Sequence, residues 1–437
     1  MTANTDFQTK LATFQEKTLF PRLSDAEQRF VRELAGKYRF TFQEFRQVVE
    51  VCRDLSMWRQ GSLEVWWRHY NNMDDLSPGA QSKKSMLQQL QRHVRQLKQQ
   101  QKTYSRTVPL MPVRRPALKI RSQRSDKKIH GLCPVASEKT VCCNLHTIDA
   151  VQNCMYGCSY CSIQTFYQDQ ITFDGDLVSK LNAIDPEPDR FYHFGTGQAS
   201  DSLVWGNRNG NLDALCQFAR DHPNVLLEFK TKSDNIGYFL DHDIPGNVVC
   251  SWSLNTPSVI ENEEHLTVPL ERRIAAARRL ADAGIKLAFH FHPMIYYRGW
   301  DKDYPQIADS LLSQFDVDEV LFISFGSVTL IKPVIKKIRE QGNPSRILQM
   351  DFVSDPHGKL TYPDDTKVLM FRKMYNSFSP WHDKVLIYLC MEKTEIWQQA
   401  FGYTYVSNQQ FERDFVNKTL FKNIKVSDNL KIAKRQQ

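Results

Sequence analysis

The sequence has no N-terminal succession of basic, apolar and small residues, and no uninterrupted apolar run of about eighteen residues. The first absence predicts that there is no secretory signal, and the second predicts that no transmembrane helix forms. Ten cysteines in a 437-residue chain of this kind indicate metal ligands and free thiols rather than a disulfide framework. We therefore expect a cytoplasmic protein that does not associate with a membrane.

Acidic side chains are scarce in residues 81–130, where fourteen Lys or Arg accompany a single acidic residue, Asp126. This segment has a net charge of +13, whereas the whole chain has a net charge of +8, so the remainder is net negative. A concentrated positive stretch is typical of proteins that bind a polyanion. We expect a nucleic-acid partner, although charge alone does not distinguish DNA from RNA.

Residues 1–80 have the pattern of a helical N-terminal domain. Ser24 precedes Glu27, and Thr41 precedes Glu44, at the spacing of a capping box. Apolar residues follow each pair at helical period. Such helices suit either a small helix-turn-helix-like bundle or a docking domain that does not contact nucleic acid.

Residues 81–140 combine a basic helix with an extended segment. Leu87, Leu90, Val94 and Leu97 recur at spacings of three, four and three, which predicts a basic amphipathic helix. Three prolines in residues 108–116 predict an extended chain that lies over the following domain. This segment is interpreted either as a solvated linker or as an arm that contacts phosphates, with Arg114, Arg115, Lys119 and Arg121 as its candidate contacts.

Strand-like apolar runs alternate with helical patterns from residue 141 to residue 344. The runs are 147–151, 191–195, 225–229, 248–253, 286–291 and 319–323. The clearest helix covers residues 270–283 and stops at Gly284. Six strands joined by crossover helices predict an α/β domain with a parallel sheet. Residues 345–437 are expected to form an α+β extension, in which a strand at 388–393 and a helix at 397–405 close the open side.

Three cysteines lie within eight residues, in Cys154-Met-Tyr-Gly-Cys158-Ser-Tyr-Cys161, and no further Cys or His follows before His193. Closely spaced cysteines hold iron–sulfur clusters, and a complete protein cage for a 4Fe–4S cluster has four. Three cysteines would leave one iron open to another ligand. A zinc site usually has a fourth Cys or His at short spacing. Three thiols in a turn without a metal is the other alternative.

The C-x3-C-x2-C spacing resembles the signature of radical S-adenosylmethionine (SAM) enzymes, and the motifs after it are similar to those of the spore photoproduct lyase family. The similar stretches are Gln164-Thr165, Ala199–Asp201, Lys230–Ser233, Ser251–Asn255, Pro269–Ile274, Ala281–Gly284, His292–Tyr296 and Gly299-Trp300. The resemblance implies a partial (β/α)6 barrel in which Cys154, Cys158 and Cys161 hold a 4Fe–4S cluster that cleaves SAM to a 5′-deoxyadenosyl radical. It also implies repair of a thymine–thymine lesion, which favours DNA over RNA, and an electron donor such as a flavodoxin or ferredoxin.

The same resemblance implies which side chains contact SAM. Hydroxyl and amide groups suit the ribose and the amino-acid portion, and an ammonium suits the carboxylate. For any one of these polar residues, simple solvation at a strand end is the alternative. The implied contacts are Tyr160, Ser200, Lys232, Ser253 and Asn255.

The chain departs from the family at Gln198, where the family has a cysteine that returns a hydrogen atom to the substrate radical. A Gln amide is a poor hydrogen-atom donor. We expect Gln198 to act through positioning, and the hydrogen atom to come from SAM regeneration, from Tyr160 or from Cys250, although a small buried hydrophobe is the alternative interpretation of Cys250. The departure leaves two other functions open, namely a radical SAM enzyme acting on RNA or a peptide, and a nucleic-acid-binding protein with a structural cluster.

Overall fold

The computed structural model describes residues 2–73, 83–111, 118–133, 139–166, 170–355 and 358–423. Within these ranges no helix is both long enough and apolar enough to span a bilayer. The helices are α1 (Thr2–Glu16), α2 (Asp25–Tyr38), α3 (Phe42–Trp58), α4 (Leu63–Met73), α5 (Lys83–Gln99), α6 (Leu177–Asn182), α7 (Asn211–Asp221), α8 (Gly237–Asp241), α9 (Pro257–Glu263), α10 (Leu270–Asp282), α11 (Trp300–Gln314), α12 (Lys332–Gln341), α13 (Asp364–Ser377), α14 (Thr394–Phe401) and α15 (Asn408–Asn423). The strands are β1 (Lys119–Gln123), β2 (His130–Leu132), β3 (His146–Ile148), β4 (Val151–Gln152), β5 (Gln170–Asp174), β6 (Tyr192–Thr196), β7 (Val225–Thr231), β8 (Val248–Ser253), β9 (Lys286–Met294), β10 (Val320–Ser327), β11 (Thr329–Leu330), β12 (Val353–Ser354), β13 (Leu360–Thr361) and β14 (Leu386–Leu389).

The N-terminal helices begin where the sequence predicts. The backbone N–H of Ser24 donates to the Glu27 carboxylate at 2.8 Å, and the N–H of Glu27 donates to the Ser24 hydroxyl at 3.4 Å. Thr41 and Glu44 form the same reciprocal pair at the start of α3. Both capping boxes are therefore confirmed, and each satisfies backbone donors that the first helical turn leaves open.

Helix α5 is confirmed as an amphipathic helix, and it packs into the core of the N-terminal bundle. Met86, Leu87 and Leu90 are buried together with side chains of α2 and α3. The apolar face covers the bundle, while basic residues such as Lys84 and Arg92 remain exposed. The core of the bundle thus extends beyond residue 80, where the sequence pattern placed a boundary.

An eight-stranded sheet forms the centre of the chain, in the order β14-β10-β9-β8-β7-β6-β3-β2. Neighbouring strands are parallel except for β2, which pairs antiparallel with β3. Strands β6 and β8 are buried along their whole length, as expected for parallel strands that are covered on both faces. The six predicted parallel strands are confirmed as β3 and β6 to β10.

The first predicted strand, 147–151, was wrong at its end. Strand β3 stops at Ile148, and the chain then enters a separate sheet in the order β1-β5-β4. The Ala150 carbonyl accepts from the N–H of Asp174 at 3.1 Å, so this residue already belongs to the smaller sheet. The pattern of residues could not show this change of partner, because pairing with β5 is a contact between segments that are separate in sequence.

The C-terminal extension contributes an additional parallel strand, β14, beside β10, followed by α14. The strand lies two residues before the predicted position, and the helix begins three residues before it. Just beyond β14, Glu392 bridges to Val141, whose N–H donates to the Glu392 carbonyl at 3.0 Å. Since Val141 leads into β3, this contact brings the two edges of the curled sheet together.

Residues 101–111 extend across the barrel, and residues 108–111 are the described start of the segment that the prolines predict to be extended. The Tyr104 hydroxyl donates to the Glu263 carboxylate at 2.8 Å, and the N–H of Leu110 donates to the Asn262 side chain at 2.8 Å. The N–H of Arg298 donates to the Lys102 carbonyl at 2.9 Å. Residues 112–117, which include Arg114 and Arg115, lie outside the described residues.

The Arg339 guanidinium on α12 joins the barrel to the N-terminal bundle. It donates two hydrogen bonds of 2.8 Å to Asp54 and one of 2.9 Å to Glu50, both on α3. Asp54 is buried, with a side-chain exposure of 4%. A bidentate, charge-assisted pair of this kind fixes the orientation of the two partners.

Replacing Arg339 by Met should destabilise the contact between the bundle and the barrel, because Asp54 would keep a buried charge without its partner. The expected loss is about 3–5 kcal/mol, read as a lower midpoint of urea unfolding and faster proteolysis between the two parts. Lys336→Met on the same helix is the control, because Lys336 is exposed. Equal unfolding midpoints for the two variants would contradict the assignment.

Candidate active site

Side chains alternate between the two faces of each central strand, so every second residue faces the inside of the curled sheet. An inner layer of polar side chains is built around the Glu228 carboxylate of β7. Its Oε2 lies 2.9 Å from Nε2 of His193, and its Oε1 lies 2.5 Å from Nε2 of His290. Ser251 donates its hydroxyl to Oε1 at 2.5 Å. Ser324 continues the layer at 2.5 Å from Nδ1 of His290.

Burial decides the charges in this layer. Burial and the charge of Lys230 lower the pKa of His290 to about 4, so its imidazole is neutral near pH 7. Burial opposes the ionisation of Glu228, but His290 and Lys230 hold the pKa of that carboxyl well below its usual range. A neutral His290 that donates from Nε2 accepts at Nδ1 from Ser324, which fixes its tautomer. The layer is therefore an ordered network of hydrogen-bonded polar side chains on the inner face of the sheet.

A second inner layer lies two residues farther along each strand, nearer the carboxyl edge. Its members are Gly195, Lys230, Ser253, His292, Gly326 and Cys390. A Cβ on Gly326 would come within 3.0 Å of the His292 ring, so glycine lets that ring lie against β10. Sites of parallel α/β barrels gather at the carboxyl edge of the strands. This upper layer is thus the part of the interior that a substrate would meet.

The cysteine loop follows β4 and is bound to the residues at the end of α9. The N–H of Gly157 donates to the His265 carbonyl at 3.0 Å, and the N–H of Ser159 donates to the Glu263 carbonyl at 2.8 Å. Within the loop, the N–H of Cys161 donates to the Cys158 carbonyl at 3.1 Å. These bonds fix the backbone that presents the three thiols.

The donor set of this loop fits an iron–sulfur cluster. The thiols of Cys154, Cys158 and Cys161 interact electrostatically, and none of the ten cysteines, all within the described ranges, is in a disulfide. Among the described residues, no three His, Cys, Asp or Glu side chains converge as ligands of a single metal ion. The thiolates that hold a cluster need not converge in this way, because they bind different irons.

The buried ion pair between Arg273 and Glu264 contacts the cysteine loop through Tyr160. Arg273 of α10 lies 2.7 Å from Oε2 of Glu264, and the Tyr160 hydroxyl donates to Oε1 at 2.5 Å. Burial would raise the pKa of Glu264, but the charges of Lys232 and Arg273 hold it at about 2. Arg273 also donates to the Ser253 carbonyl at 2.8 Å. The pair thus connects the cysteine loop, α10 and the end of β8.

Asn255 belongs to this support and not to an open pocket. Its amide donates to Glu264 at 3.2 Å and to the Pro293 carbonyl at 3.1 Å. Its oxygen accepts from the Tyr304 hydroxyl at 2.6 Å. Both donors of the amide are used, and the side chain is wholly buried. The structure therefore does not offer Asn255 for the direct SAM contact implied by its motif.

The loop after β6 carries Ser200 and Asp201 to the same edge. Asp201 accepts from the Thr231 hydroxyl at 2.8 Å and from the N–H of Lys232 at 2.7 Å, which ties this loop to the end of β7. Gly197 has a φ of +84°, and a Cβ there would lie 2.6 Å from the Ser202 hydroxyl, so the turn requires glycine. The Ser200 hydroxyl is buried and has no hydrogen-bond partner among the described residues. A buried polar group of this kind is expected where a bound ligand would supply the partner.

The charged groups of the SAM motifs lie beside the cysteines. Asp201 acts electrostatically on Cys154, and Lys232 acts on Cys158. The Lys232 ammonium lies 4.0 Å from Glu264 and 5.9 Å from the centre of the Tyr160 ring. The structure thus brings Lys232 and Tyr160 together next to the loop, while Ser253 ends the neighbouring strand.

The three residues considered for hydrogen return occupy different places. Gln198 lies at the carboxyl edge, beside Ala199, whose N–H donates to Asp149 at 3.2 Å. The Tyr160 hydroxyl is engaged with Glu264. Cys250 follows the alternation opposite to Ser251, is wholly buried, and interacts with Cys216 of α7 on the outer face. Its side chain therefore points to the helical layer, which agrees with the alternative interpretation of Cys250 as a small buried hydrophobe.

The sequence interpretation missed the buried charged residues. Glu264 and Glu228 lie in none of the family-like stretches, and Arg273 lies in Pro269–Ile274 without having been singled out, yet all three organise the site. One signal was present for Arg273, because it follows Leu270 by three residues and precedes Ala277 by four, on the apolar stripe of α10. A charge on that stripe predicts a buried partner, although it does not identify Glu264.

A curled, mainly parallel sheet with a three-cysteine loop beside its carboxyl edge defines a radical SAM domain. Residues 143–356 match the family model described as spore photoproduct lyase. The resemblance inferred from the motifs is confirmed over residues 143–356, which are similar to the spore photoproduct lyase family.

Curated relatives of that name are similar to part of the chain. A spore photoproduct lyase of Geobacillus sp. (strain Y412MC61) is 25% identical over 214 residues, which is 47% of this chain and 62% of the relative. That of Clostridium acetobutylicum is 25% identical over 258 residues, 55% of this chain and 75% of the relative. The chain thus spans between about three fifths and three quarters of the length of these relatives.

Solved structures share the fold. A spore photoproduct lyase variant with bound AdoMet and dinucleoside spore photoproduct superposes with a TM-score of 0.51 at 23% identity. The superposition covers 62% of this chain and 81% of that one. The predicted α/β fold class is confirmed by this similarity.

Replacing Arg273 by Met should destabilise the protein by up to about 3–5 kcal/mol, because the buried Glu264 carboxylate would lose its partner at 2.7 Å and keep only the Lys232 ammonium at 4.0 Å. Urea unfolding of the metal-free protein measures this loss. Arg279→Met is the matched control on the same helix, since Arg279 is exposed, and its effect should stay within about 0.5 kcal/mol. A mild effect of Arg273→Met would mean that Glu264 is protonated or solvated.

Proposed function

We propose that this chain is a radical SAM enzyme that repairs a thymine lesion of the spore photoproduct class in DNA. The observation that carries the proposal is the position of the Cys154–Cys161 loop. It lies next to Lys232 and Asp201 at the carboxyl edge of a barrel that belongs to the spore photoproduct lyase family. The type of lesion is inferred from the names of the similar proteins. The radical chemistry is inferred from the residues of the site.

The residues have distinct roles in this proposal. Cys154, Cys158 and Cys161 would hold a 4Fe–4S cluster, which, together with bound SAM, would supply the radical chemistry that abstracts hydrogen. The Lys232 ammonium is placed to pair with the SAM carboxylate. The unpartnered Ser200 hydroxyl offers a hydrogen bond inside the buried edge.

The remaining members of the predicted SAM set support these contacts. Tyr160 packs its ring beneath Lys232, and Ser253 stands at the end of β8 as a further contact. Asn255 acts as a positioning residue, because it orients the Glu264 carboxylate. The buried Glu264–Arg273 pair holds the cysteine loop in place while water is excluded.

A basic edge near the site favours a nucleic acid as the substrate. Strand β1 is exposed along its length and carries Lys119 and Arg121. It forms a three-stranded sheet with β5 and β4, and β4 ends two residues before Cys154. Strand β5 lies between β1 and β4, and neighbouring strands are about 4.8 Å apart. Phosphates bound along β1 would therefore lie two strand spacings from β4, near the cysteine loop that follows it.

Gln198 favours a second candidate, a radical SAM enzyme that modifies another substrate such as RNA or a peptide. The residue stands where the family's hydrogen-donating cysteine stands, so no thiol at that position can return a hydrogen atom to the radical here. A protein with a purely structural cluster is disfavoured, because such a cluster is better protected by four ligands. An electron donor such as a flavodoxin or ferredoxin, and a cytoplasmic location, belong to the same proposal.

Anaerobically reconstituted protein should contain one 4Fe–4S cluster, measured by iron and sulfide content. Substituting Cys154, Cys158 or Cys161 by Ala should abolish it, since each thiolate holds an iron. Cys142→Ala and Cys143→Ala, outside the loop, should retain it. Full iron content in Cys158→Ala would rule out the assignment.

Reduced, reconstituted protein given SAM and UV-irradiated DNA should form 5′-deoxyadenosine and restore thymines, both measured by mass spectrometry. The loop variants should lose both products. Formation of 5′-deoxyadenosine with unchanged DNA lesions would reject DNA repair and favour the RNA or peptide alternative.

Affinity for DNA should fall steeply with salt, because each neutralised phosphate releases counterions. The double substitution Lys119→Ala and Arg121→Ala should reduce the slope of log K against log salt by about one for each phosphate that is no longer neutralised. The double substitution Lys336→Ala and Lys373→Ala removes the same charge from exposed helical positions and serves as the control. Identical slopes for both double variants would show that β1 does not contact phosphate.

A further inference from the structure

The proposed chemistry ends with a carbon radical on the substrate, and that radical must gain a hydrogen atom. A neutral thiol is well suited to this step because its S–H bond is weak. Gln198 has no such bond, and Cys250 faces the outer helices. The interior nevertheless presents a thiol to this region, at a position that no sequence motif marks.

Four cysteines meet where the two edges of the large sheet approach each other, and we call them the seam thiols: Cys133, Cys142, Cys143 and Cys390. The N–H of Cys133 donates to the Leu145 carbonyl at 2.8 Å, two residues beyond Cys143. The bridge between Val141 and Glu392 places Cys142 near Cys390. The thiols of Cys142, Cys390 and Cys133 all act on Cys143.

Strand geometry places Cys390 on the inner face. Tyr388 of β14 faces inward, because its ring packs on Phe322 at 5.9 Å between centroids and its hydroxyl interacts with Ser324 and Glu228. Cys390 lies two residues farther along and therefore points to the same side. Its N–H donates to the Phe325 carbonyl at 2.8 Å, which keeps it aligned with the end of β10.

The neighbours of Cys390 belong to the upper inner layer. The charge of Lys230 acts on the Cys390 thiol, and the same charge acts on His290 and His292. Lys230 also lies at the turn that carries the unpartnered Ser200, because a Cβ on Gly197 would come within 2.9 Å of the Lys230 carbonyl. Cys390 thus faces the same interior edge as the groups expected to meet SAM.

Two of the seam thiols, Cys390 and Cys143, are held in the protonated form that hydrogen donation requires. Burial raises the pKa of Cys390 above its usual range, although the charge of Lys230 acts in the opposite direction. Interaction with Cys142, followed by burial, raises the pKa of Cys143. Cys390 is thus a neutral thiol beside a second neutral thiol, Cys143.

We propose that Cys390 is the hydrogen-atom donor to the substrate radical, in place of the thiol missing at position 198. This inference rests on the proposed function. In the step, the S–H bond of Cys390 breaks and a C–H bond forms on the substrate carbon, which leaves a thiyl radical on Cys390. One electron from the same class of one-electron reductant that serves the cluster, together with one proton from water, restores the thiol.

Turnover in D₂O tests the donor, because thiol protons exchange with solvent. The substrate is dinucleoside spore photoproduct, and the wild-type product should carry one deuterium per repaired dinucleotide. Cys390→Ala and the isosteric Cys390→Ser should still form 5′-deoxyadenosine, but their products should lack deuterium or change identity. Cys250→Ala is the control, since it removes a buried thiol from the outer face, and it should behave as wild type.

The outcomes of this experiment separate the role of Cys390 from the proposed function of the chain. A wild-type product without deuterium, or an unchanged deuterated product from Cys390→Ala, would overturn the role of Cys390. A wild-type protein that forms no 5′-deoxyadenosine would contradict the proposed function, and a second measurement then decides on Cys390 alone.

That second measurement uses metal-free protein and needs no turnover. Slow alkylation of cysteines, followed by peptide mass spectrometry, should show that dinucleoside spore photoproduct protects Cys390 and leaves Cys216 of α7 unaffected. Equal labelling of Cys390 with and without the dinucleoside would contradict its place in the substrate site. Thermal melting of Cys390→Ser should match wild type and thereby exclude a folding defect.

Discussion

The buried carboxylate of Glu264 is the group that holds the parts of the site together. It accepts from Tyr160 inside the cysteine loop, pairs with Arg273 of α10 and receives the amide of Asn255 beyond β8. Charges buried in this way are costly unless each has its partner and its hydrogen bonds. The loop, the helix and the strand end are therefore held in one relative position, because displacing any of them would leave a charge unpaired.

The preceding residue, Glu263, extends this connection to the exterior. Its carbonyl receives the N–H of Ser159 in the cysteine loop, and its carboxylate receives the hydroxyls of Tyr104 and Ser345. Tyr104 belongs to the segment that crosses the barrel, and Ser345 donates its N–H to the Met57 carbonyl of the N-terminal bundle. Two adjacent glutamates thus link the loop to the interior on one side and to the helical bundle on the other.

Much of the fold could be predicted from the sequence, since the deciding interactions are local. The capping boxes at Ser24 and Thr41, the amphipathic helix α5 and the six parallel strands follow from residue spacing, because caps and apolar periodicity act over a few residues. The one error, the end of β3, arose where a segment pairs with another that is distant in sequence. The small sheet β1-β5-β4 and the packing of α5 against the bundle depend on contacts of the same kind, which no local pattern encodes.

The same division holds for the site. The three-cysteine loop, its family and the absence of a thiol at position 198 follow from the order of residues alone, because ligand spacing within one loop is a property of the sequence. The folded chain, in contrast, saturates Asn255 with protein partners, turns Cys250 to the outer helices and turns Cys390 to the interior. The physical reason is that strand alternation assigns faces only once register and curvature are known. The closing of the sheet then brings Cys390 next to Cys143 and Cys133, although Cys390 is far from both along the chain.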